Sequence, residues 1–229
     1  PEEMSNKVVL DVGCGVGRFM EVVAPYAKKL IGLDMTTAVD VAFSNIHHQY
    51  PNVDFMQADL FSIPLKPESV DFIYCIGVLH HIPDTLKGIK ALIPLIKPGG
   101  EMAIWMYGPR FPLRILTHDI IRYIGCRIDP EKVFWFTKKY VPFALKTHSI
   151  PYVGKLFKYF LLWAASYPHL PIPDHLRLQW SILDTFDTFA TKIEKNFHEE
   201  EIINMFKEAG LTNIRKGQVY NAVIGEKPE

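Results

Sequence analysis

The chain has 229 residues, 48% of them apolar and 22% charged, with 25 Lys+Arg balanced by 25 Asp+Glu. This composition excludes a disordered chain, and the zero formal charge removes the basic excess that marks a general nucleic-acid binder. The length suits one globular domain or one domain carrying a large insertion, and no apolar run approaches the roughly 20 residues that cross a bilayer.

Residues 7–12 (KVVLDV) read as a first strand that runs into a glycine cluster, and 18–26 read as a helix. A second strand over 30–34 precedes a helix over 37–48. Third and fourth strands follow at 53–56 and 70–75. Residues 83–96 form a helical pattern with Pro83 near its first turn, where the missing N–H costs nothing. Pro98-Gly99-Gly100 reads as a turn before a fifth strand at 101–106. Runs apolar on both faces and separated by helices imply a parallel sheet covered on both sides, an α/β fold.

Near residue 107 the texture changes. Residues 108–180 hold 11 Lys+Arg against 4 Asp+Glu, and 14 of the 29 aromatic residues. This stretch reads as helices over 112–126, 130–146, 153–166 and 174–186, with Asp129-Pro130 and Asp174 as starts. Residues 198–209 then form an amphipathic helix, acidic in its first turn and closed by Gly210. A strand pair at 211–216 and 220–225 ends the chain. The expected organisation is an α/β core over 1–107 and 186–229, with a helical insertion over 108–185 acting as substrate cover.

Cys14, Cys75 and Cys126 are odd in number and widely spaced, which makes neither a disulfide framework nor a metal-ligand set, so a cytoplasmic setting and no metal are expected. The chain opens Pro1-Glu2-Glu3 without an initiator Met or a signal-type apolar stretch, which points to a trimmed N-terminus.

Asp11-Val12-Gly13-Cys14-Gly15-Val16-Gly17 sits where the first strand turns into the first helix. Glycines there let a ligand approach the backbone closely. The spacing is G-x-G-x-G with an acid two positions ahead, not the G-x-G-x-x-G of a dinucleotide fingerprint. Asp34 ends the second strand, where a carboxylate accepts from a free pair of ribose hydroxyls.

These residues resemble the class I S-adenosylmethionine-dependent methyltransferases, in particular the group that includes ubiquinone and menaquinone methyltransferases. The resemblance covers residues 7–107 and 196–226 and rests on VLDVGCGVGRF, GLDMT, FMQADLFSIPLKPESVDFIYCIGVLHHIPD and LIKPGGEMAIW in register. It implies a doubly wound, mostly parallel seven-stranded Rossmann-like sheet with the helical insertion after strand five. It also implies S-adenosyl-L-methionine as cofactor and S-adenosyl-L-homocysteine as product. By position, Gly13, Gly15 and Gly17 would line the methionine part, with Cys14 packed beside them as a small apolar residue. Asp11 would hold the loop or meet the amino group, Asp34 would bind the ribose, and Met35 would lie against the adenine. Asp59 would accept from the adenine amine with Leu60 nearby, and Ile76 and Gly77 would border the sulfonium end.

Methyl transfer needs alignment, exclusion of water and, for a hydroxyl acceptor, a base; it needs no nucleophilic side chain. His80 and His81 follow strand four and are the candidates for that base, His80 the favoured one and His81 structural or mixed. Tyr107, Asp184 and Asp187 are candidates to border the acceptor. The aromatics of the insertion, Phe134-Trp135-Phe136 and residues 157–163 (FKYFLLW), suit a large greasy or aromatic acceptor, a helical mini-core or a homodimer face alike. Its lysines, Lys138, Lys139, Lys155 and Lys158 among them, are compatible with peripheral contact on anionic membrane.

The expected activity is O-methylation of an aromatic, quinone-like or lipid-like small molecule, with C-methylation of a quinol or lipid as the nearest alternative. The rivals are an NAD-dependent oxidoreductase and a cofactor-binding module without turnover. The Asn/Asp-Pro-Pro-Tyr/Phe signature of amino-group methylation is absent after strand four, where the sequence is Cys75-Ile76-Gly77-Val78.

Overall fold

The computed structural model describes residues 2–109, 115–158, 162–168 and 172–229. The chain divides into two compact units, Pro1–Pro109 with Lys195–Glu229, and Arg110–Glu194. The core thus resumes at Lys195, later than the residue 186 expected.

The first unit holds seven strands: β1 Val8–Val12, β2 Lys29–Asp34, β3 Val53–Gln57, β4 Val70–Ile76, β5 Ile96–Trp105, β6 Thr212–Lys216 and β7 Ala222–Glu226. They form one sheet in the order β3-β2-β1-β4-β5-β7-β6. The first five are parallel, and β7 runs antiparallel to both β5 and β6. The order reverses between β1 and β4, which makes the carboxyl ends of these two strands the natural ligand crevice.

Strand alternation sends alternate side chains to opposite faces of the sheet. Val9, Leu30, Phe72 and Tyr74 pack with Met20 of α1 (Met20–Val23) and with Val39, Ala42 and Ile46 of α2 (Ala38–Ile46). Leu10, Val12, Ile73 and Cys75 belong to a second cluster with Ile89 and Leu92 of α3 (Thr85–Leu92) and Ile202 and Phe206 of α8 (Glu199–Glu208). Asp84 caps α3 by accepting from Lys87 N at 3.0 Å, so the helix starts after Pro83 rather than on it.

Two expectations for this unit change. The first helix is one turn because Pro25 stops it. Pro98-Gly99-Gly100 lies inside β5 instead of ahead of it: pairing with β4 jumps from Val70↔Ile96 to Phe72↔Glu101, so a bulge absorbs the extra residues.

The second unit contains α4 (Ile115–Gly125), α5 (Pro130–His148), the single turn α6 (Gly154–Leu156) and α7 (Asp174–Ala190). The buried stripe of α5 is Val133, Thr137, Val141 and Ala144, and Val141 and Ala144 share a small cluster with Ala164 and Ile182. The continuous helix expected over 153–166 is not formed. Residues 162–167 are irregular, and three of their backbone groups are met by side chains. Trp163 O accepts from the Tyr140 hydroxyl at 2.9 Å, Ala165 N donates to Thr185 Oγ1 at 3.0 Å, and the His148 ring meets Leu162 O at 2.7 Å. Residues 112–114 of the first expected helix and 159–161 of the third lie outside the described residues.

Candidate active site

The glycine loop leaves β1 with Gly13 and Cys14 both donating to Leu33 O, at 2.7 and 2.9 Å, which ties the loop to the end of β2. Gly13 has φ +77, and a Cβ there would run into the Val78 side chain. Gly15 has φ +54, but a Cβ there would meet nothing within 4 Å, so its outer side faces open space. The loop is therefore closed towards the protein and open where a ligand would lie. Gly17 completes it with φ +89.

Asp34 is bound from two sides. Gly15 N donates to its Oδ2 at 2.9 Å, and Thr36 donates to its Oδ1 through N at 2.8 Å and Oγ1 at 2.7 Å. A carboxylate has about four lone-pair sites. Three donors fix its plane and leave capacity for a hydroxyl. Met35, beside it, is 67% exposed, a surface suited to cover a flat ring.

Asp11 is fully enclosed, and its Oδ2 has no hydrogen-bond partner among the described residues. Its register neighbour on β4 is Tyr74, whose hydroxyl lies close enough to favour the charged carboxylate without reaching hydrogen-bond geometry. Burial pushes Asp11 up to about 8; Tyr74 opposes this, and the charge on Asp34 adds to it. The Cys14 thiol is pushed up by burial and then by Asp11 and Asp34. The crevice between β1 and β4 thus holds the Asp34 carboxylate and, on Asp11, a buried acceptor without a partner, whose ionised form a positive charge would favour. That environment fits a cationic sulfonium and ammonium, and it disfavours the pyrophosphate of a dinucleotide.

The β3 exit joins the same edge. Ala58 N donates to Asp34 O at 3.0 Å and Gln57 Nε2 to Met35 O at 3.1 Å. Asp59 is exposed and accepts from Phe61 N at 2.8 Å, which fixes its turn, while Leu60 packs on the core. Gly77 follows β4 and Ile76 with φ +80, donating to Trp105 O at 3.0 Å.

Beyond β4 and β5 the rings of His80, His81 and Tyr107 gather. His80 lies tilted against both His81 and Tyr107, each at 4.0 Å centroid distance, and is fully buried; His81 is half-buried. Lys195 N donates to His80 O at 3.0 Å, Phe197 N to Tyr107 O at 2.9 Å and Asn221 Nδ2 to Phe197 O at 2.7 Å. Residues 195–197 therefore lace together the ends of β4 and β5 and the start of β7.

Asp184 and Asp187 lie on α7 in the helical unit, and the Asp184 carboxylate receives the Tyr167 hydroxyl. Sequence reasoning missed Tyr74, Thr36 and Asn221. The Asp-x-Thr spacing at 34–36, a known side-chain turn pattern, was the available signal for Thr36. Tyr74 needed the strand register. Among the described residues, no group of three His, Cys, Asp or Glu is placed to hold a metal.

Residues 10–104 match a family model described as a methyltransferase domain. The ubiquinone biosynthesis O-methyltransferase of Coxiella burnetii is 35% identical over 100 residues, which is 43% of this chain and 43% of that protein. The enzyme of the same name from Saccharophagus degradans is 34% identical over 139 residues, covering 53% and 59%. The chain thus spans about half the length of the curated relatives it matches. In fold it is similar to an S-adenosylmethionine-dependent methyltransferase from Aquifex aeolicus, with TM-score 0.52, 16% identity and 97% and 82% coverage. It is similar also to one from Mesorhizobium loti, with TM-score 0.54, 14% identity and 99% and 92% coverage. Residues 10–104 are thus similar to a methyltransferase domain, and the chain has a fold similar to that of solved S-adenosylmethionine-dependent methyltransferases.

Proposed function

We propose that the protein transfers a methyl group from S-adenosylmethionine to the hydroxyl of an aromatic or quinone-like small molecule. The observation that carries this reading is the orphaned buried Asp11 Oδ2 beside an open glycine loop, one strand away from the His81–Tyr107 ring cluster. The relatives named above are quinone-pathway O-methyltransferases, which supports the acceptor class.

The cofactor supplies an electrophilic methyl on a positively charged sulfur. Asp34, held by Gly15 and Thr36, binds the ribose hydroxyls. Asp11 takes the ammonium end, with its ionised form favoured by that charge. His81 accepts the acceptor's hydroxyl proton. It is the ring that an acceptor reaches, because His80 is fully buried between His81 and Tyr107 and serves as a wedge that fixes both. Tyr107 and its ring neighbours exclude water from the reacting groups. The reaction is assigned to the cytoplasm on the strength of three free thiols, Cys14 and Cys75 buried and Cys126 partly so.

The test is incubation of the protein with methyl-labelled S-adenosylmethionine and catechol- or hydroxyquinol-bearing prenylated acceptors. A labelled methyl ether is expected. A carbon-methylated product would move the assignment to C-methylation, and cofactor binding without any product would make the chain a non-catalytic module.

A further inference from the structure

S-adenosylmethionine ends in a free amino acid, so a site that holds it meets two opposite charges, an ammonium and a carboxylate. Asp11, buried and without a partner at Oδ2, answers the ammonium. The carboxylate finds no answer in Asp11 or Asp34, whose like charge repels it. Much of the loop backbone is also committed. Gly13 N and Cys14 N donate to Leu33 O, Gly15 N to Asp34 Oδ2, and Gly17 N to Cys14 O at 2.9 Å. The helix that follows is a single turn, and the N–H groups of Glu21, Val22 and Val23 already meet Gly17 O and Phe19 O. A carboxylate seated here calls for a cationic side chain.

The loop supplies one. Across the exits of β1, β2, β3 and β4, residues 11–19, 34–38, 57–61 and 76–81, Arg18 is the only Lys or Arg. It directly follows Gly17, where a Cβ would run into Ile46 and Ala42 of α2, so the backbone at this point is pressed against that helix. Asn45 Nδ2 of the same helix donates to Val16 O at 3.3 Å. The Arg18 guanidinium lies over the Phe19 ring, 4.8 Å from its centroid, and Phe19 packs on the core shared by α1 and α2. A guanidinium stacked by its face presents its N–H donors edgewise, the geometry that matches two carboxylate oxygens. Its five donors serve more than one acceptor at a time.

We infer that Arg18 binds the carboxylate of the cofactor's amino-acid end while Asp11 takes its ammonium, so that the glycine loop reads a zwitterion and not the nucleoside alone. The inference rests on the S-adenosylmethionine reading of the site. It gives the loop a selectivity with a definite sign. Two acids without a cation would prefer the decarboxylated amine, which carries a net positive charge, over the zwitterion. With Arg18 in place the preference runs the other way.

The experiment is calorimetric titration of the full chain with S-adenosylhomocysteine, with its decarboxylated form, and with methylthioadenosine, which lacks both charges. The parent is expected to bind S-adenosylhomocysteine about tenfold or more tightly than the decarboxylated form. Arg18→Gln is expected to lose about tenfold or more for S-adenosylhomocysteine while keeping its affinity for methylthioadenosine, so that the preference vanishes or reverses. Arg18→Lys, which retains the charge without the planar fork, is expected to recover part of the loss. Equal affinity of the parent for S-adenosylhomocysteine and its decarboxylated form overturns the inference, whether or not a variant folds. So does an Arg18→Gln variant that weakens all three ligands alike, since Arg18 would then only support the loop, or one that leaves S-adenosylhomocysteine affinity unchanged. Each of these results leaves the cofactor reading standing, because the parent still binds S-adenosylhomocysteine; loss of that binding in the parent overturns both.

Discussion

In the proposed reading Asp11 and Asp34 divide the cofactor between them, and their environments give each a separate signature. Asp34 lies in a ring of backbone and hydroxyl donors at 2.7–2.9 Å. Asp34→Ala is expected to weaken S-adenosylhomocysteine binding by about 1.5–3 kcal/mol by calorimetry, since hydrogen bonds to a charged group are lost. Asp11 behaves differently because burial raises it to about 8, whereas in the unfolded chain it titrates near 3.8. The native protein then keeps a proton that the unfolded chain releases. Its contribution to stability is present below about pH 4 and lost as pH rises towards about 8. Asp11→Asn is expected to flatten that decline in thermal melts. A cationic ligand favours the ionised carboxylate, so affinity for S-adenosylmethionine and for the product, which carry the same ammonium, is expected to rise between about pH 6 and pH 8. A pH-independent affinity for both would detach Asp11 from the ammonium end. His81→Ala is expected to lower kcat by about a hundredfold or more while leaving cofactor affinity intact; parallel losses of both would make the ring structural. The placement of Asp34 and the glycines at the strand ends was legible in the sequence because it follows from chain-local spacing. Asp11's altered titration was not, because it arises from burial and from Tyr74, sixty-three positions away and adjacent only through strand register.

The glycine loop and the strap at 195–197 position these side chains. Gly13 and Gly15 separate structure from ligand contact. Gly13→Ala places a methyl against Val78 at φ +77 and is expected to cost about 3 kcal/mol in urea unfolding. Gly15→Ala meets no protein atom within 4 Å, so it is expected to cost only about 1 kcal/mol of stability while reducing cofactor affinity by about tenfold or more. The reverse ranking would mean that the loop's open side is not where the ligand lies. At the other side of the crevice, Asn221 is fully buried in a left-handed conformation with φ +64 and donates to Phe197 O. Asn221→Ala is expected to destabilise the protein by about 2 kcal/mol. Element types in the core followed from period-two apolar runs alternating with helical ones. The failures came from local chemistry that periodicity does not see. Pro25 shortened α1, a register jump hid the Pro-Gly-Gly turn inside β5, and Tyr140, His148 and Thr185 replaced helical hydrogen bonds along 162–167.

The whole molecule separates its tasks between two units. The sheet unit carries Asp11 and Asp34 at its crevice, and the helical unit carries the basic and aromatic excess. The change of composition at residue 107 revealed that division because a parallel sheet and an all-helical unit demand different residue patterns. Its far end was less legible, since α7 continues through residue 190 with no proline or glycine to stop it. The acceptor stays a matter of chemistry rather than of motif: a hydroxyl next to His81 needs no characteristic spacing in the chain. The site assignment stands first on the cofactor, and calorimetric titration of the folded protein with S-adenosylhomocysteine and NAD in parallel examines it directly. Saturable one-site binding of S-adenosylhomocysteine, weakened in Asp34→Ala, with no heat from NAD, is the expected result. Silence with S-adenosylhomocysteine at millimolar concentration, or equal binding of NAD, would contradict it.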